Sequence, residues 1–212
     1  MRPYEKDPAA IYAQSFGIVR AEARLGRFPD GMDTLVTRLI HACGMVEIAD
    51  RLDFSADAYA AGQAAMAAGA PVLCDCEMVR AGIIRRSLPA DNPLIVTLND
   101  PSVPDLAREL GTTRSAAAVE LWRPHMDGAV VAIGNAPTAL FHLLEALDAG
   151  APRPAVILGL PVGFVGAAEA KAELAANPRG VPFLALRGRR GGSAMASAAV
   201  NALSAGLGGG VA

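Results

Sequence analysis

Five short runs of apolar residues in the later two-thirds of the chain predict buried β-strands. The runs are continuous rather than alternating, which is typical of strands that helices cover on both faces. They read PVLCD (71–75), PLIVTL (93–98), GAVVAIG (128–134), PAVILG (154–159) and VPFLAL (181–186). Segments of helical periodicity follow them, at about 77–85, 104–124 with a break near Gly111, 136–149, 164–176 and 193–206. This alternation predicts a doubly wound parallel sheet of five strands over residues 70–206.

The first third of the chain has helical periodicity and contains no predicted strand. Its helical stretches are expected at about 8–25, 33–52 and 56–68. They cannot be crossovers between strands, so they must pack against the sheet layers, against each other or against a second subunit. No long linker or fixed repeat separates residues 8–68 from the sheet, and 212 residues suit one α/β core. We therefore predict a single domain over residues 1–212.

The stretch TRLIHACGMVEIADRL (37–52) predicts a helix that is apolar on two sides. At 100° per residue, one apolar stripe contains Leu35, Leu39, Ala42, Val46 and Ala49, and another contains His41, Met45, Ile48 and Leu52. One stripe can face the chain's own core. The other needs a partner, such as a twin subunit or a large apolar ligand, with a buried His41 at its start. A lone histidine on such a face is ordinarily a core residue, so the pattern alone leaves a structural role open.

Charge and composition exclude several classes of protein. The net charge of −2 offers no basic patch for nucleic acid. Among the 19 basic residues only Lys6 and Lys171 are lysines, and this excess of arginine suits an anionic ligand as well as a genome biased toward arginine codons. The N-terminus has no signal-peptide pattern, and the uncharged last 22 residues are too rich in Ala, Gly and Ser to span a membrane.

Three cysteines, Cys43, Cys74 and Cys76, form no CxxC pair and leave one unpaired, which suits small core residues in a reducing, cytoplasmic location. A C-x-C metal corner at Cys74 lacks further ligands at metal-binding spacing, so no metal is expected. We read the chain as a cytoplasmic protein without a disulfide framework.

The loops after the predicted strands are the candidate binding region, because open parallel sheets bind ligands beyond the carboxyl ends of their strands. In GNAPTAL, Gly134 and Asn135 precede a helix, and their backbone N–H groups are expected to be free to face an anion. In GTTRSAAAVELW, Arg114 and Ser115 begin a helix and form either a carboxylate receptor or a plain N-cap. No GxGxxG or GxxxxGK[ST] motif is present, so neither a dinucleotide nor a P-loop site is supported.

Taken together, several stretches resemble the precorrin-8X methylmutase family. They are SFGIVRAEA, RLIHACGMVE, TRSAAAVEL, IGNAPTAL, ILGLPVGFVGAAEAK and GRRGGSAMASAAVNAL, in this order from about residue 10 to residue 204. Ala170, where many members have Ser, is a peripheral departure. The resemblance implies a flavodoxin-like three-layer α/β/α fold with extra N-terminal helices, a homodimer with active sites near the subunit interface, and no cofactor or metal.

The implied reaction is a 1,5-sigmatropic methyl shift from C-11 to C-12 that converts precorrin-8X, a tetrapyrrole, to hydrogenobyrinate. The resemblance carries the catalytic histidine onto His41, which would protonate a ring nitrogen and take the proton back. Imidazole groups exchange protons near neutral pH. The rim carboxylates of the macrocycle are expected to meet a further set of residues: Ser15, Arg38, Thr97, Arg114, Ser115 and Asn135.

Three other functions stay open at this stage. The same shift can act on a cobalt-containing substrate, as a cobalt-precorrin-8 methylmutase. A corrinoid carrier would bind the macrocycle without turnover. A flavodoxin-like FMN or response-regulator module is a further alternative, although Lys171 on a crossover helix is not placed for the regulator version.

Overall fold

The computed structural model describes residue 2 and residues 4–207, and its strands form one sheet. The strands are β1 (Leu52–Phe54), β2 (Val72–Cys74), β3 (Leu94–Ile95), β4 (Val130–Ile133), β5 (Val156–Gly159) and β6 (Phe183–Leu186). Their spatial order is β1-β6-β5-β4-β2-β3, and every pair is parallel except β1 with β6. The prediction of a purely parallel, five-stranded sheet is therefore wrong, because the sheet is mixed and six-stranded.

The helices alternate with the strands from β2 onward. They are α1 (Pro8–Glu22), α2 (Met32–Cys43), α3 (Ala58–Ala67), α4 (Glu77–Gly82), α5 (Val103–Glu109), α6 (Arg114–Glu120), α7 (Pro137–Asp148), α8 (Ala167–Ala176) and α9 (Ser193–Ser204). The predicted break near Gly111 is confirmed, since α5 ends before it and α6 begins after it. All four residues of β4, of β5 and of β6 are buried, which explains their continuous apolar runs.

The predicted helix over 33–52 is wrong in its second half, because α2 ends at Cys43. Gly44 caps it in the left-handed region at φ 70°, a conformation that glycine adopts without a steric penalty. The chain then forms a 3₁₀ turn (Val46–Arg51) and enters β1. Ile48 and Leu52 are consequently buried in the chain's own core rather than on a second stripe facing a partner.

Apolar side chains fill the space on both faces of the sheet. One core cluster combines residues of α2, α3 and α9 with one face of the strands. The other combines residues of α7 and α8 with the opposite face. Among the N-terminal helices, α2 packs on α9, and α1 lies outside it against α2, with Val19 as its only buried residue. This arrangement leaves most of α1 exposed.

Candidate active site

Asp75 follows β2 at the carboxyl edge of the sheet and organises the loop after β4. The register pairs Cys74 with Ala132, so Asp75 lies beside the end of β4. Its carboxylate accepts hydrogen bonds from the backbone N–H groups of Gly134 at 2.9 Å, Asn135 at 2.8 Å and Ala136 at 2.8 Å. Burial raises the pKa of Asp75, while these three hydrogen bonds act to lower it. The expectation of free N–H groups at Gly134 and Asn135 is wrong, because Asp75 already binds them.

His41 lies in the last turn of α2, on the face that the core does not cover. Leu35, Leu39 and Ile40 point the other way and are buried, whereas His41 is exposed. The imidazole points away from the core and toward α1, so its burial against a second subunit or a ligand stays a prediction. The Oγ of Ser15 lies 2.8 Å from the Nδ1 of His41. This contact engages Nδ1 and leaves Nε2 without a hydrogen-bond partner among the described residues.

Aromatic rings from α1 flank the imidazole. The ring centroids of Tyr12 and Phe16 both lie 5.3 Å from that of His41, the first tilted and the second edge-on. The spacing of i, i+3 and i+4 places Tyr12, Ser15 and Phe16 on one side of the helix. The result is an exposed imidazole in an aromatic setting, which suits contact with a flat conjugated ligand.

Two arginines bring positive charge to the same cluster. The guanidinium of Arg38 lies 5.7 Å from the centre of the Phe16 ring, and that of Arg20 lies 5.9 Å from it. The Nε of Arg38 is buried and has no hydrogen-bond partner among the residues that the structure describes. The cluster can therefore receive an anionic group beside an apolar surface.

A second group of predicted residues lies where α6 meets the loop after β3. Arg114 donates to the carbonyl oxygen of Leu98 at 3.2 Å and to Oδ1 of Asn99 at 3.3 Å. The hydroxyl of Thr97 donates to the carbonyl oxygen of Ala118 at 2.7 Å, so it supports α6. Ser115 is half-buried in the first turn of α6. The exposed Arg114 has only neutral acceptors here, which keeps its charge available to an anion.

The structure thus divides the predicted site residues into groups. Ser15, Arg38 and His41 come together between α1 and α2. Thr97, Arg114 and Ser115 come together at α6, and Asn135 follows β4. Within the described ranges, no hydrogen bond joins one group to another. Sequence reasoning missed a further set that shapes the site: Tyr12, Phe16, Arg20 and Asp75.

A spacing of four residues is the signal that could have identified Tyr12, Phe16 and Arg20 as one face of α1. Residues 4–207 contain no group of three or more His, Cys, Asp or Glu side chains arranged to hold a metal ion. Over the same range, no helix has both the length and the apolar character needed to cross a membrane.

Comparison with known proteins gives consistent matches over nearly the whole chain. The sequence model of the family described as precorrin-8X methylmutase matches residues 10–205. The chain is 63% identical to precorrin-8X methylmutase of Pseudomonas aeruginosa over 96% of its own length and 98% of that protein. It is 37% identical to cobalt-precorrin-8 methylmutase of Priestia megaterium, covering 96% and 90% of the two chains. A crystal structure of precorrin-8X methylmutase from Thermus thermophilus superposes with a TM-score of 0.83 at 41% identity, covering 92% and 94%.

Proposed function

The chain belongs to the precorrin-8X methylmutase family, isomerases that catalyse methyl migration in cobalamin biosynthesis, and from this premise we propose that His41 is the acid–base group of that reaction. The observation that carries the proposal is the exposed imidazole between Tyr12 and Phe16, held by Ser15 at Nδ1. In this role, His41 donates a proton from Nε2 to a ring nitrogen of the macrocycle. Because Ser15 occupies Nδ1, Nε2 is the nitrogen left to face the substrate.

Protonation makes the conjugated macrocycle electron-poor and so lowers the barrier for migration of the methyl group with its bonding electrons. The methyl group moves from C-11 to C-12, and His41 then recovers its proton, so that the product is hydrogenobyrinate and no cofactor is consumed. Positioned acid catalysis contributes roughly 10²- to 10⁴-fold to such steps. The flanking aromatic rings support the role, because they offer an apolar surface on which the macrocycle excludes water from the imidazole.

The carboxylates at the rim of the macrocycle need receivers around this centre. We assign Arg38 and Ser15 to the receivers near His41, and Arg114 and Ser115 to those at α6. The assignment is supported by the absence of a carboxylate partner for either guanidinium group among the described residues; that of Arg114 binds only the neutral oxygens of Leu98 and Asn99. Asn135 follows β4, where its backbone N–H binds Asp75, and we assign its side chain to the same set.

Thr97 acts indirectly in this scheme, because its hydroxyl already donates to α6. It is therefore expected to support Arg114 and Ser115 rather than to donate to the substrate itself. Its oxygen remains able to accept a hydrogen bond.

We propose the metal-free precorrin as substrate rather than its cobalt complex. The relatives that are 63% and 58% identical to this chain, from Pseudomonas aeruginosa and a Sinorhizobium species, are named precorrin-8X methylmutase. The relative from Salmonella typhimurium, named cobalt-precorrin-8 methylmutase, is 36% identical. This difference in similarity supports the metal-free substrate.

We also propose that the enzyme works as a homodimer, with α1 at or near the interface. Helix α1 exposes Ile11, Tyr12 and Ile18, with 43%, 52% and 49% of their surfaces accessible. Such exposure on one helix is more typical of an interface than of a free surface. A twin subunit would also let the groups at α1–α2 and at α6, which no hydrogen bond joins within the described chain, face one substrate from two sides.

The strand order supports a flavodoxin-like fold of one domain. Numbered among themselves along the chain, the five parallel strands lie in the order 2-1-3-4-5, to which β1 adds an antiparallel edge. Asp75 and Gly134 follow the two strands at which this order reverses, where ligands of such folds bind.

The free thiols of Cys43, Cys74 and Cys76 support a cytoplasmic location.

The test is an absorbance assay of the purified protein with metal-free precorrin-8X and, in parallel, with cobalt-precorrin-8. We expect conversion of the metal-free substrate to the spectrum of hydrogenobyrinate and slower conversion of the cobalt form. Faster turnover of the cobalt substrate would assign the protein to the other branch. Tight binding without conversion of either would identify a carrier instead.

A further inference from the structure

The loops that follow β5 and β6 are joined into one unit. The N–H of Gly163 donates to the carbonyl oxygen of Arg189 at 3.1 Å, and the N–H of Gly192 donates to that of Leu160 at 2.9 Å. A Cβ at Gly191 would lie 2.3 Å from the carbonyl oxygen of Leu160, so the backbones approach as closely as only glycine permits. The two loops therefore cannot move independently without breaking these contacts.

Lys171 of α8 is the side chain that fastens this unit. Its Nζ donates to the carbonyl oxygens of Pro161, at 2.9 Å, and Arg190, at 2.5 Å, one from each loop. The residue is 1% exposed and forms no ion pair in the described part of the chain. Burial lowers the pKa of Lys171 to about 8, which reflects the cost of placing an ammonium group there. A buried cation held only by carbonyl groups is costly, and its two hydrogen bonds, one to each loop, offset part of that cost and join the loops.

The unit presents an apolar and cationic surface at the carboxyl edge of the sheet. Phe164 and Val165 are 86% and 89% exposed, and the guanidinium of Arg189 lies 5.1 Å from the centre of the Phe164 ring. Phe164 and Arg189, together with Val162, Gly163 and Arg190, line a shallow cavity of about 290 Å³. Arg190 binds Glu47 in the turn just after α2, which brings the unit next to the helix that carries His41.

Arg189 differs from the other arginines of its loop. Arg190 is paired with Glu47 and Arg187 with Asp53, whereas within the described ranges the guanidinium of Arg189 has only the Phe164 ring as a partner. Its charge is therefore available to an anion, and the ring beneath it is available to an apolar surface. The ligand that satisfies both is a flat, apolar molecule with carboxylates at its rim.

We propose that Phe164 and Arg189 form a second substrate-contacting element and that Lys171 is the positioning residue that holds them in place. Arg189 binds a rim carboxylate of the tetrapyrrole, and Phe164 packs against its apolar part. The identity of this ligand rests on the proposed function. The element contributes to binding and takes no part in proton transfer, which we assign to His41 on α2.

The test measures the affinity for hydrogenobyrinate, the product, by absorbance titration of the purified enzyme. We expect Arg189→Ala and Phe164→Ala each to raise Kd about tenfold or more, with the single-turnover rate on saturating precorrin-8X within about twofold of wild type. Arg187→Ala is the matched control: it removes the same charge from the same loop but from an ion pair, and its Kd should stay within about twofold.

Lys171→Met tests the positioning role, because it keeps the length of the side chain and removes its donors. We expect it to raise Kd as much as Arg189→Ala does, and to add little further in the Arg189→Ala background. Lys171→Arg, which can still donate to both carbonyl groups, should recover part of the affinity. If Lys171→Met does not yield folded protein by circular dichroism, the Arg189 and Phe164 variants decide the proposal, since both positions are exposed.

Two results would overturn the inference. One is an affinity for hydrogenobyrinate in Arg189→Ala equal to that of Arg187→Ala. The other is a loss of the dimer in sedimentation with product affinity unchanged, which would make the surface a contact between subunits. Failure of the wild-type enzyme to convert precorrin-8X would instead refute the proposed function, so the two failures are distinguishable.

Discussion

Replacing Asp75 by Asn tests the claim that one buried carboxylate organises the loop after β4. The two oxygens of Asp75 accept different hydrogen bonds: Oδ1 accepts from the N–H of Gly134, and Oδ2 accepts from the N–H groups of Asn135 and Ala136. An amide has only one acceptor oxygen. Whichever way it is oriented, its NH₂ group faces at least one backbone N–H that has lost its acceptor.

The cost follows from which N–H group is left without an acceptor. If the amide oxygen serves Asn135 and Ala136, the N–H of the buried Gly134 is left without an acceptor. An unsatisfied buried donor costs about 1–3 kcal/mol. The amide recovers part of this cost because, unlike the carboxylate, it places no charge in a buried position. Burial disfavours that charge, which is why it raises the pKa of Asp75. We expect a net loss of about 2 kcal/mol, or roughly 4–8 °C in Tm for a chain of this size.

Urea denaturation followed by circular dichroism measures the change in the free energy of unfolding. Asp100→Asn is the matched control, because Asp100 also accepts a backbone N–H, from Ser102, but on an exposed loop. That variant should stay within about 0.5 kcal/mol of wild type. Equal stability of the two variants would refute the reasoning, since it would mean that burial of the Asp75 network adds nothing.

The other predictions concern packing, charge and pH. Gly134→Ala should lower the free energy of unfolding by about 3 kcal/mol or more, because its Cβ would lie 2.8 Å from the Cα of Ser193, and a near-wild-type urea midpoint would contradict this. Arg114→Ala should raise Kd for hydrogenobyrinate, and more at low salt than at high salt; a salt-independent Kd would remove its assignment to a carboxylate. Burial lowers the pKa of Lys171 to about 8 in the folded chain, from an ordinary value of 10.5. Above pH 8 this side chain therefore binds a proton more fully in the unfolded chain than in the folded one. The stability of wild type relative to Lys171→Met should therefore rise by about 2 kcal/mol between pH 7 and about pH 9.5, and a difference that stays constant with pH would be evidence against a buried ammonium group.

The parallel strands could be predicted from the sequence because helices cover both of their faces, which forces continuous apolar runs such as Val130–Ile133. Strand β1 (Leu52–Phe54) could not, because three residues at a sheet edge carry too short a pattern. Its pairing with β6 depends on residues at least 130 positions away. The apolar residues at regular intervals in residues 46–52 are buried or half-buried, but they lie in a 3₁₀ turn and a strand rather than in a continued helix.

The site was predictable in part. The resemblance of the sequence to a known family indicated His41, and the structure brings Ser15 and Arg38 to the same cluster. The contacts of His41 with Tyr12 and Phe16 could not be predicted, because they depend on how α1 packs against α2. The role of Asp75 also escaped prediction, since its hydrogen bonds join residues about 60 positions apart and no local pattern encodes them.

The most direct test of the central claim is the single-turnover rate of His41→Ala on saturating metal-free precorrin-8X, measured together with its Kd for hydrogenobyrinate. The substitution removes the proton donor at an exposed position and leaves the arginines in place. We predict that methyl migration falls at least about 10²-fold while Kd stays within about tenfold of wild type, because one lost hydrogen bond costs only about 1 kcal/mol. Methyl migration at the wild-type rate in this variant would contradict the assignment of His41 as the acid–base group.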